Sequence, residues 1–117
     1  MLDRIDIHIG VPRVDYEKLS GDRLLGETAE SIRKRVQAAR DIQLARFSKA
    51  DASSIIANAD MHVREVQQFC KLQDEGQSLM RAAMSQLNLS GCAYHCILKL
   101  ARTNTDLAGV MISNPRI

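Results

Sequence analysis

Apolar and polar residues alternate strictly near the start of the chain, where Ile5, Ile7, Ile9 and Val11 are separated by Asp6, His8 and Gly10. A period of two predicts a strand with one buried face, ended by Pro12 or placed by it at a sheet edge. One strand cannot bury itself and needs a sheet. No other stretch of these residues alternates convincingly, so the receiving sheet is expected elsewhere. Residues 13–27 are polar, contain Gly21 and Gly26, and read as a linker with at most one helical turn. From about 28 to 48 the period changes: Ile32, Val36, Ala39 and Phe47 fall on one stripe at helical spacing. Thr28 is the expected N-cap, and Ser31 three residues later is too weak to complete a capping box.

Asp51 to Ala59 is rich in Ser, Asp and Asn and reads as a loop. A short helix is expected from about 62 to 71, with Val63, Val66 and Phe69 facing inward. Asp74 reads as the N-cap of a helix reaching about Asn88, with Leu79, Met80, Ala83 and Leu87 as its apolar stripe. Ser90 caps a last helix to about Leu107, whose stripe is Tyr94, Ile97, Leu98 and Ala101, and Gly109 suits its stop. The tail from Val110 to Ile117 is partly apolar and contains Pro115. There is no internal repeat. The pattern predicts a mainly α fold, a bundle of about four helices preceded by one strand.

Composition sharpens this picture. Aromatic residues make up 3% of the chain and Trp is absent, so a core must come from Leu, Ile, Val, Met and Ala, which favours packed helices over a sheet sandwich. The net charge of +2 is too small to point to nucleic acid by itself. No apolar run approaches the ~18 residues of a membrane span, and Met-Leu-Asp-Arg does not begin a secretory signal. Three cysteines do not make a disulfide framework, so a reducing, cytoplasmic setting is expected.

Four stretches carry a family resemblance. They are Leu2 to Ile7, Val36-Gln37-Ala38-Ala39-Arg40-Asp41-Ile42-Gln43, Asn58-Ala59-Asp60-Met61, and Ala93-Tyr94-His95 with Ile97-Leu98-Lys99 and Ala101-Arg102-Thr103. In this order they resemble the C-terminal region of magnesium-chelatase-like AAA+ ATPases of the competence (ComM/YifB) type, over about residues 2 to 109. The resemblance implies that residues 1–18 are a terminal strand and arginine-finger segment of an αβα nucleotide-binding core. It implies that 19–109 are the helical lid that folds over the nucleotide, with 110–117 as a tail. It further implies a homo-oligomeric ring, usually a hexamer, with ATP and Mg²⁺ bound by the parent protein. DNA branch migration during uptake and recombination is the implied task, and no membrane is involved. After Gly109 the resemblance is expected to stop, with the family's final helix absent.

By the same resemblance, Arg4 is the expected arginine finger, reaching a neighbouring subunit's γ-phosphate in trans. A fixed charge on a planar donor fork suits the charge that develops in phosphoryl transfer. The bland alternative is a salt bridge to Asp3 or Asp6. The family's lid arginine follows a pattern like Ser-x-Arg-Ala-Tyr-His-Arg, whereas here the stretch reads Ser90-Gly91-Cys92-Ala93-Tyr94-His95-Cys96. A thiol cannot offer a cation to a phosphate, so the sensing position, Cys92, is expected to be inactive. Asn104 and Thr105 also depart from the family's usual Ile and Ala, and this clustering reads as a relaxed or truncated copy. Arg102 survives as a structural or phosphate contact, although Asp106 four residues on makes a helix salt bridge the simpler role.

Cys92, His95 and Cys96 share one helix face at spacings i, i+3 and i+4. Zinc would suit that set, but a fourth ligand would have to come from Cys70 or His62, and no metal site is expected. Arg33, Lys34, Arg35, Arg40, Arg46 and Lys49 wrap around the long helix rather than forming a stripe. No aromatics interleave with them for base stacking, so a solvated helix or a ring-subunit contact is the expected reading. There is no phosphate loop and no strand ending in paired acids for Mg²⁺. Alone, the chain is expected neither to bind ATP tightly nor to hydrolyse it. The alternative function is an independent helical protein-binding module without ATPase activity.

Overall fold

The computed structural model describes residues 5–21, 26–50, 52 and 54–109. Among these, five α-helices follow one another: α1 (Tyr16–Ser20), α2 (Ala29–Lys49), α3 (Val63–Phe69), α4 (Asp74–Leu87) and α5 (Gly91–Leu107), with a 3₁₀ turn at Asn58–Asp60. The mainly helical class is as the periodicity predicts. The strand is not formed: residues 5–14 take neither helix nor strand, and Ile5, Ile7, Ile9 and Val11 are between 53% and 85% exposed. A strand exists only when a neighbour supplies its ladder of N–H and C=O groups, and none of the described residues does so. The radius of gyration, 17.7 Å, exceeds the roughly 13 Å of a compact chain of this length.

Local signals set the helix ends. Thr28 Oγ1 accepts the Ser31 amide at 3.3 Å, and Glu27 accepts from the Ser31 hydroxyl at 2.7 Å and from Arg35 at 2.9 Å. That Ser31 bond first, opposed by desolvation and helped by the Arg35 charge and bond, holds the Glu27 carboxyl below its usual range. Ser90 Oγ accepts the Ala93 amide at 3.2 Å and starts α5 where expected. Asp74 is the first residue of α4 rather than its cap, a position Gln73 takes without a side-chain bond. Asn88 stops α4 in the left-handed region (φ 49°), which its short polar side chain tolerates. Gly109 leaves α5 at φ 67°, a conformation that costs glycine little.

α5 is the hub, packed against α2, α3 and the 3₁₀ turn. Its apolar contacts form one cluster of Phe47, Ile55, Met61, Val66, Cys70 and Leu98, with Phe69 edge-on to Phe47 at 5.7 Å. The stripe predicted on α2 holds only in its second half. Ala39 and Phe47 are buried, together with Gln43 between them, while Ile32 and Val36 stay exposed. The helix is longer than the surface it lies on, and α5 meets only its C-terminal turns. Val63, Leu79 and Leu87 are likewise exposed, and α4 buries no residue at all.

Candidate functional site

Four of the buried residues are polar: Gln43, Asn58, Arg102 and Asp106. They meet at the junction of α2, the 3₁₀ turn and α5. Arg46 grips the Asp106 carboxylate with both terminal nitrogens, Nη1 to Oδ2 at 3.0 Å and Nη2 to Oδ1. Arg46 Nη1 also donates to Asn58 Oδ1 at 3.0 Å. Asn58 in turn donates to Asp106 at 2.9 Å and to Thr103 Oγ1 at 3.1 Å, and its backbone N–H reaches Gln43 Oε1 at 3.0 Å. Lys99 Nζ closes the edge on the Ala59 carbonyl at 3.0 Å. A planar guanidinium fork matched to a carboxylate is among the stronger polar contacts. Here one asparagine ties it to three elements. The Asn58-Ala59-Asp60-Met61 motif is thus structural: Asn58 and Met61 are buried, and Asp60 Oδ2 accepts the Ala57 amide at 3.0 Å.

Arg102 lies in the same junction, 7% exposed, with Nε 3.6 Å from Asp106 Oδ1. Its Nε and Nη1 are buried without a hydrogen-bond acceptor among the described residues. Two guanidiniums therefore face one carboxylate. Burial first, and then the Arg46 charge, lower the pKa of Arg102, while Asp106 opposes the shift. This arginine is turned into the core. Arg46 belongs to the core as well, so the basic character of α2 is less solvated than its sequence implies. The remaining pairs, Lys34–Glu30 and Arg35–Glu27 at 2.9 Å each, are exposed and contribute little.

Cys92 sits exposed in the first turn of α5, with Cys96 half-buried one turn on. Desolvation, then the Asp6 charge and the Cys92 thiol, raise the Cys96 pKa. All three cysteines are free thiols. Among the described residues no three His, Cys, Asp or Glu side chains gather as metal ligands. Arg4 lies outside the described residues, as do residues 22–25 of the expected linker and lid boundary and the tail at 110–117.

A groove of ≈ 670 Å³ separates α4 from α3 and α5. Met80, Met84, Tyr94 and Leu98 line it, with Lys71 and Arg81 at its sides. Sequence reasoning missed both the groove and the junction. Gln43 was findable, since it sits four residues from both Ala39 and Phe47 on the same stripe. Arg46 and Asn58 carry no local signal, because their partners lie 12 to 60 positions away, and of the contacts of Asp106 only the one to Arg102 is local.

Residues 26–115 match the family described as magnesium chelatase, subunit ChlI C-terminal. The chain belongs to this family. The helices α2 to α5 fall within the match and form that family's helical lid, and the match runs past Gly109 to residue 115, so the expected end of resemblance at Gly109 was placed too early. Competence protein ComM of Haemophilus influenzae is 39% identical over 110 residues, which cover 92% of this chain and 20% of the relative. The uncharacterized protein YifB of Escherichia coli is 34% identical over 106 residues, with 91% and 20% covered. This magnesium chelatase lid thus spans about a fifth of the length of the curated relatives it matches. Among the described residues no helix is long and apolar enough to cross a membrane.

Proposed function

We propose that this chain serves as the lid and arginine-finger segment of a ring-forming AAA+ ATPase of the magnesium-chelatase-like family, acting in the cytoplasm. The observation that carries this reading is the family match over nearly the whole chain together with an apolar N-terminal segment that finds no strand partner among the described residues. A segment of that kind is suited to completing a sheet supplied by a nucleotide-binding core. Arg4, just ahead of it, would project its guanidinium toward a neighbouring subunit's nucleotide. ATP and Mg²⁺ belong to the core. The described residues do not fit a nucleotide, since Cys92 is a thiol at the sensing position and Arg102 is held by Asp106. The parent's task, by similarity to the competence protein, is DNA remodelling in uptake or recombination, with the homo-oligomeric ring and DNA as partners.

The test is reconstitution with the ATPase core of the Haemophilus competence protein, cut before its own corresponding segment. The lid should raise ATP hydrolysis, Arg4→Ala should abolish the gain, and Cys92→Arg should increase it. An Arg4→Ala lid that stimulates as well as the wild type would refute the finger. A second reading, a helical protein-binding module with no part in ATP hydrolysis, is favoured by the groove beside α4.

A further inference from the structure

We infer that the groove between α3, α4 and α5 is a docking site for a short acidic, amphipathic segment of a partner protein. Three observations converge on it. Part of the lining is apolar and adaptable: Met80 and Met84 of α4 line the groove with Tyr94 and Leu98, and thioether side chains refill irregular gaps at low cost. The sides are cationic. Lys71 and Arg81 flank the groove against one lining carboxylate, Asp74, and neither cation forms an ion pair or side-chain hydrogen bond among the described residues. The third observation is His95, which lines the groove and whose Nδ1 is buried without a hydrogen-bond partner. A buried polar atom left unpaired is disfavoured, and in the Nδ1–H tautomer it would donate to a carboxylate of the bound segment once the ring turns toward the groove.

α4 supplies the reason that the groove stays open. It buries no residue of its own, and Met80 and Met84, which line the groove, are only partly covered. An amphipathic segment that lays apolar residues on Met80, Met84 and Leu98 would cover that face, with its carboxylates opposite Lys71, Arg81 and His95. This is the helix-in-groove mode of recognition, with charge setting specificity. The inference does not depend on Arg4 or on nucleotide, so it stands or falls separately from the ATPase reading.

The experiment selects ligands for the full chain from a random peptide-display library and measures the enriched peptides, fluorescein-labelled, by fluorescence polarisation. Enriched peptides should combine Asp or Glu with Leu, Phe or Met. Replacing their acids by Asn or Gln should weaken binding by about tenfold or more, a loss of ~1.4 kcal/mol. The double reversal Lys71→Glu/Arg81→Glu should do the same, while Arg40→Glu on the exposed face of α2 should change nothing, with helical content checked for each variant. Met84→Gln should also weaken binding without altering charge. Peptides without acidic enrichment, or equal affinity for the doubly reversed variant, would overturn the proposal. So would full displacement of the peptide by laurate at comparable affinity, which would make the groove a small-carboxylate pocket instead.

Discussion

The α2–α5 junction and helix α4 both border the same small core, and they are held in different ways. At the junction, Asp106 is 3% exposed and ion-paired to Arg46 and Arg102, while Asn58 binds Gln43, Thr103 and Asp106 at once. α4 has the stronger amphipathic pattern, yet it buries nothing completely and borders a groove. An apolar stripe makes a helix able to pack, but burial needs a complementary surface. α5 offers that surface to α2 and spends none of it fully on α4. The directional polar network specifies one arrangement of α2 and α5, whereas the non-directional contacts of α4 leave room for a partner.

The sharpest way to break this comparison is Asp106→Ala. It leaves two guanidiniums buried without a counter-charge and should cost ~3–5 kcal/mol, read as a lower urea midpoint by circular dichroism. Loss of less than about 1 kcal/mol would mean that the junction is not the anchor. Asn58→Ala should cost ~1–3 kcal/mol, since it leaves Arg46 and Thr103 short of a partner. Arg102→Met sharpens the contrast, because it removes the unpaired Nε and Nη1 and the repulsion with Arg46. The variant should be as stable as the wild type or more so by ~1 kcal/mol, and a clear loss would show that Asp106 needs both cations. On the other side, Leu87→Ala should stay within ~0.5 kcal/mol. Hydrogen exchange should find the amides of α4 opening more readily than those of α5, and equal protection would erase the distinction.

The smallest effect concerns Cys70, buried where α3 meets the junction. Desolvation pushes its thiol up, and the Arg102 and Arg46 charges oppose the shift. A thiol that ionises later in the folded than in the unfolded chain adds stability that is fully present at neutral pH. That stability is lost as pH rises past the ordinary thiol range toward the raised folded value. The wild type should therefore lose stability more steeply in alkali than Cys70→Ala, measured by urea midpoints across that range. Parallel declines would mean that the thiol is no better shielded folded than unfolded.

Helix positions were legible from local chemistry. The Thr28 and Ser90 caps and the stops at Asn88 and Gly109 act through bonds or dihedral preferences spanning a few residues, so a linear reading captures them. Family membership was legible for a similar reason, since the four stretches that carry it are continuous in the chain. The core was only half legible. Ile32 and Val36 have the same apolar character and spacing as Ala39 and Phe47, and nothing in the periodicity says where the supporting helix ends.

Tertiary structure alone decided the rest. Arg46 looks like one more cation on a basic helix until Asp106, 60 positions away, is brought beside it. Arg102 has its i+4 acid in plain view, but its exposure, and with it any route to a phosphate, depends on what α2 and the 3₁₀ turn lay over it. The groove exists in no single segment, because its walls come from three helices and its openness from contacts that α4 does not make. The alternation of Ile5 to Val11 is the converse case. Its pattern specifies what the segment could become, but a strand is a relation between two backbones, and the described residues provide only one.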